Sequence, residues 1–178
     1  PEPKGEQGPS GVGIDELYSE LDKIHNRIGV GHSEEAVAIL RDLPKELTDE
    51  ASIEVALAWR LAGEPARAKA LLSGLTELRP PLDSYALVVG GEQERVAKKI
   101  AEAKKDSACE LAHVAELKAR LGDHVGAIET AARIRTLDPA CARAWELEVS
   151  ERALHGDPAR ALDVGDEAVR LHDQDAGL

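Results

Sequence analysis

Apolar residues return at steps of three and four along most of the chain, and short polar or glycine-bearing stretches interrupt them. Between 107 and 121, Leu111, Val114, Ala115, Lys118 and Leu121 fall on one stripe of a helical period. The same reading predicts helices over 14–28, 33–43, 48–62, 65–77, 83–89, 93–105, 107–121, 124–136, 140–155 and 158–171. Gly122 is placed to end one helix in a left-handed cap, and Asp123 to cap the next. No six-residue stretch alternates with the period of two that a half-buried strand requires. The expected fold class is therefore all-α, with tight connections. Residues 1–13 are rich in Gly and Pro and have little to bury, so they are expected to form a flexible arm or linker before a helical domain over 14–178.

The junctions repeat. Gly31, Gly63, Gly122 and Gly156 are each followed, five residues later, by an alanine: Ala36, Ala68, Ala127 and Ala161. Twelve residues after each stands Leu43, Leu75, Ile134 or Ala168, and two of the units carry Pro80 or Pro139 seventeen residues on. Two antiparallel helices joined by a short turn cross closely beside it. A small residue one turn into the second helix lets the backbones approach, and a larger one further along fills the widening gap. One such pair cannot cover its own apolar face, so pairs stack on pairs. The residues expected to serve this packing are Gly63, Ala68, Gly122, Ala127, Pro139, Trp145, Gly156, Ala161 and Ala168.

Segment 108–141 resembles a tetratricopeptide repeat through Leu111, Val114, Ala115, Gly122, Asp123, Ala127, Ile134 and Pro139. Segment 142–175 resembles a second through Trp145, Gly156, Asp157, Ala161, Ala168 and Leu171, and segment 49–82 a third through Val55, Ala56, Trp59, Gly63, Ala68, Leu75, Leu78 and Pro80. Residues 17–48 form a looser fourth. Glu148 stands where the family has a buried aliphatic, Gly165 where it has a large side chain, and Gly90-Gly91 cuts one first helix short.

The resemblance implies a right-handed α-solenoid of four to five helix hairpins, one of them shortened. In such arrays the first helices line a concave groove that takes a peptide or helix of a partner protein. It assigns Ile53, Leu57, Arg60 and Leu61, then Ala112, Glu116 and Arg120, then Arg143, Glu146 and Ser150 to that face. No Asn follows Asn26, so the Lys/Asn clamp that some relatives use for a terminal carboxylate is not expected. The function implied is a non-catalytic protein–protein interaction scaffold. A self-assembling structural protein, with a homo-oligomer as its product, is the alternative, as is a regulatory domain of a larger enzyme or transcription regulator.

Composition narrows this picture. Aromatics make up only 2% of the chain while Ala and Leu dominate, which suits closely spaced helices rather than a sandwich or barrel. A net charge of −12 makes a poor ligand for nucleic acid and favours neutral or basic protein surfaces. No apolar run is long enough to span a bilayer, so membrane insertion is not expected. Arg95, Lys98, Lys99, Lys104 and Lys105 are the one basic cluster, and they read as a solvated helix face beside Glu102 and Asp106.

No P-loop, nucleophile elbow or zinc-protease motif occurs, so neither an enzyme nor a cofactor is expected. The histidines (His25, His32, His113, His124, His155, His172) include no i, i+4 pair and no evident completing ligand, so no metal site is expected. Cys109 and Cys141 stand near the starts of successive first helices. With helix axes about 8–10 Å apart, they are expected to remain free thiols, which fits a reducing cytoplasm; a periplasmic or exported location is the alternative. Rich in Ala, Arg and Gly, the composition is of the kind that GC-rich bacterial genomes encode. With no methionine in it, the chain is expected to be a processed product or a piece of a longer protein.

Overall fold

The computed structural model describes the backbone of residues 14–175 and, apart from positions 14, 15, 106 and 172–175, their side chains. The arm expected over 1–13, and the side chain of His172, lie outside what is described. Helices account for nearly all regular structure, and no strand occurs among the described residues. The chain divides into two compact units, residues up to Leu78 and residues from Arg79 on.

In the first unit, α1 (Ile14–Gly29) pairs with α2 (Ser33–Asp42), and α3 (Asp49–Leu61) with α4 (Pro65–Leu72); α3 also packs on α1 and α2. Leu17, Leu21 and Ile24 bury one stripe of α1. Helix α3 is enclosed on nearly every side, with Ala51 to Ile53 and Val55 to Trp59 all buried. Thr48 caps it by accepting from the Ala51 N–H at 3.3 Å. Helix α4 stops at Leu72, short of the expected 77, and Ser73 and Gly74 follow in a turn.

The second unit contains α5 (Leu82–Gly90), α6 (Gln93–Glu102), the short α7 (Lys105–Ala108), a 3₁₀ turn (Cys109–Leu111), α8 (Ala112–Arg120), α9 (His124–Leu137), α10 (Ala142–His155) and α11 (Pro158–Asp175). The pairs are α5 with α6, α8 with α9 and α10 with α11, while α8 touches both α5 and α10. The single helix expected over 107–121 is thus broken by a tighter 3₁₀ turn at Cys109.

One turn recurs within the pairs. Gly31, Gly63, Gly91 and Gly122 have φ of +85°, +86°, +81° and +82°, which an L side chain adopts only at a cost. At each, the glycine N–H donates three residues back: to Ile28, Arg60, Val88 and Ala119. The next residue donates five back: to Arg27, Trp59, Leu87 and Lys118. The sequence reading missed Gly91 because the residue five on is Val96 rather than alanine. Gly91 thus belongs to the series, and α5 ends at Gly90 after nine residues, as short as expected.

Gly156 is the exception among the expected junctions. Its φ is −130°, and a Cβ there would meet Ile128 Cδ1 at 3.2 Å and the Arg152 Cα at 3.3 Å. Crowding, not handedness, accounts for glycine at that position. The residues five after the expected junctions, Ala36, Ala68, Ala127 and Ala161, are all buried.

Two features of the second unit depart from expectation. Cys109 and Cys141 form a disulfide with Cα atoms 5.5 Å apart, so the expected free thiols are corrected. The axial spacing of helices with average side chains does not apply here. Ala108, Ala112 and Ala144, all buried around Cys141, bring the backbones closer. Glu148 is fully buried, yet Arg135 Nε donates to it at 2.9 Å and Arg152 Nε at 2.8 Å. Arg135 also reaches Glu167 at 3.1 Å and lies 4.5 Å over the Trp145 ring, whose Nε1–H donates to the Pro139 carbonyl at 2.8 Å. One ionic network thus joins α9, α10 and α11 in place of an aliphatic contact. A buried charge stripped of its partner costs about 3–5 kcal/mol, so the three helices depend on one another.

Gly63→Ala and Gly122→Ala meet no steric neighbour, so each should lower unfolding free energy by about 1–2 kcal/mol through the backbone alone. Gly122→Asn should lose less, because Asn tolerates the left-handed region. Urea midpoints check both. Replacing both cysteines by serine should cost about 3–4 kcal/mol, the loop-closure effect of a 32-residue separation. The denatured, unreduced chain should show no titratable thiol.

Candidate functional site

Within the second unit, α8 lies between α5 and α10, and these helices present a polar stripe. His113, Glu116 and Arg120 recur at three- and four-residue steps on α8, and Arg143, Glu146 and Ser150 do so on α10. Arg143, Glu146, Ser150 and Arg120 are exposed, while Glu116 and His113 are half-buried. Arg143 engages both carboxylate oxygens of Glu116 with Nε and Nη2, a two-point pairing across helices. His113 Nδ1 lies 2.9 Å from the second Glu116 oxygen. On the far side, the Tyr85 ring of α5 tilts against His113 with centroids 4.5 Å apart. The expected residues Glu116 and Arg143 are thus brought together. Tyr85 and His113 complete the cluster and were missed. The available signal was one of only two tyrosines in a chain without Phe, and a histidine one turn before Glu116.

Charge interactions follow from this geometry. Burial works against ionisation of Glu116, but Arg143 and His113 together outweigh it and hold its carboxyl below the usual range. The hydrogen bond to Glu116 raises Arg143 further, so that cation is permanent. Burial pushes the Tyr85 hydroxyl up, with Arg143 pulling the other way, and Tyr85 stays a neutral donor at neutral pH. The cluster offers a fixed ion pair, a phenol and an imidazole, and suits recognition by hydrogen bonding and charge.

Several expected contact residues have other duties. Ile53 and Leu57 are buried inside the first unit because α3 is covered by α1, α2 and α4. Ala112 is buried against the disulfide. These three are corrected from groove lining to interior packing. Arg60 and Leu61 are half-buried at the end of α3 in the first unit. Among the packing residues, Ala68, Ala127, Trp145 and Ala161 are buried, Ala168 is half-buried, and Pro139 and Gly156 are exposed.

The first unit also holds an unanticipated cleft of about 400 Å³. Leu43, Leu47, Val55 and Leu71 floor it, and Arg41, Lys45 and Arg67 edge it. The basic cluster on α6 is locally paired: Lys99 with Asp83, Arg95 with Glu92 at 2.7 Å, and Lys98 with Glu102 at 3.9 Å. Among the described residues, no helix is long and apolar enough to cross a membrane. No family model, curated protein or solved structure matches the chain.

The folded Glu116 carboxyl titrates below its unfolded value, so protons bind the unfolded chain preferentially as pH falls. The stability advantage of the native chain over Glu116→Gln should be full above the ordinary carboxylate value of about 4.3. It should fade as the pH drops through the lower folded value. Urea unfolding of both proteins at about pH 7, 5 and 3 tests this. A difference that is constant or grows in acid contradicts it.

Proposed function

We propose that the chain is a tetratricopeptide-like α-solenoid and a non-catalytic protein–protein interaction scaffold. Four matching left-handed turns, three of them followed five residues on by a buried alanine, support the repeat architecture. The observation that carries the function is the stripe shared by α5, α8 and α10. Its apolar positions are spent on the interior, and its outward positions hold Tyr85, Arg120, Arg143, Glu146 and Ser150. Such a surface fits an extended peptide or a helix that brings its own hydrogen-bonding and charged groups. The disulfide favours a periplasmic or exported setting over a reducing cytoplasm.

A peptide library displayed against the chain tests the reading. Arg143→Glu with Arg120→Glu should weaken the selected peptides at least about tenfold, or 1.4 kcal/mol, while circular dichroism stays helical. Peptides that bind the variant equally well, or a library that gives none, would count against it.

Self-assembly is the second reading, and α11 favours it. Ala161 and Val164 of α11 are buried, yet Leu162 and Val169, two turns apart, are 73% and 59% exposed. Light scattering over a dilution series separates the readings. A dimer or larger species that dissociates in Leu162→Glu supports assembly, and a monomer at every concentration supports the scaffold.

A further inference from the structure

His124, Glu151 and His155 converge at the packed pair α9 and α10 and share no residue with the stripe described above. His124 is the first residue of α9, held there by the preceding turn and by Asp123, which accepts from the Gly126 N–H at 3.0 Å. Glu151 and His155 are four residues apart near the end of α10, so they share a face. The His124 Nδ1–H donates to Glu151 Oε2 at 2.9 Å. The two imidazoles stack with centroids 3.6 Å apart and planes 14° from parallel. The Glu151 side chain is only 12% exposed, so its carboxylate is turned inward rather than spread into solvent.

One ligand atom from each of the three lies within 4.8 Å of the others. Ligands around a tetrahedral zinc ion lie about 3.3 Å apart. The remaining distance is within the reach of side-chain rotation, and His155 is exposed, so its ring can turn. Two imidazole nitrogens and one carboxylate oxygen form a borderline donor set. It suits zinc-like transition ions, and magnesium or calcium would prefer an all-oxygen shell. A surplus of carboxylates across the chain favours a cation further. No motif announced the site because its third ligand comes from another helix, 27 residues earlier than Glu151.

We propose that His124, Glu151 and His155 bind one divalent transition-metal ion, zinc foremost, with water as a fourth ligand, and that the ion clamps the start of α9 to the end of α10. Because the ion binds the folded arrangement, it stabilises that arrangement by mass action.

Titration of zinc chloride into the full 178-residue chain by calorimetry is the test. The expected result is one ion per chain at micromolar affinity or tighter, with a raised thermal midpoint. His155→Ala changes an exposed position, so its helical spectrum should persist while zinc affinity falls at least about a hundredfold. His32→Ala removes a different histidine–carboxylate pair, with Glu35, and should leave affinity unchanged. The proposal is overturned by absence of binding at about 100 μM zinc, by undiminished binding in folded His155→Ala, or by equal loss in His32→Ala.

Discussion

The left-handed turn between paired helices constrains everything built on it. Its two hydrogen bonds close the end of one helix and release the chain at a fixed angle, so the second helix starts beside the first. Its glycines have no side chain to oppose the positive φ. The residue five on from each gives its N–H to the carbonyl that opens the next helix: Ala36 to His32, Ala68 to Glu64, Val96 to Glu92 and Ala127 to Asp123. That residue is buried in all four pairs, an alanine in three of them and Val96 in the fourth.

An alanine-rich interior brings close backbones but little buried side-chain volume. The second unit offsets this with specific bonds. The disulfide ties the turn before α8 to the start of α10, and Glu148 gathers arginines from α9 and α10, one of which reaches α11 through Glu167. These are directional links, and they fix which helices adjoin more sharply than apolar contact does. The outward positions of α8 and α10 carry links of their own, the Glu116–Arg143 pair among them.

The stripe and the His–Glu–His group arise from the same packing in different ways. The stripe is what remains on the outer faces of α8 and α10 once their small residues are interior. The His–Glu–His group exists because α9 begins where α10 ends, so residues at opposite ends of consecutive helices meet. Both depend on helix pairing, and neither depends on a motif contiguous in sequence.

The sequence determined the helices, most of their limits, the glycine turns and the burial of the alanines, because each follows from local propensity and period. It also placed Glu116 and Arg143 on outward positions. Tertiary structure alone decided the rest. Whether Leu57 faces a groove or an interior depends on how many neighbours cover α3. Whether two thiols meet depends on the alanines around them, and whether Glu148 is tolerated depends on cations thirteen residues back and one turn ahead. These outcomes are set by distances across helices, which periodicity along one helix does not contain.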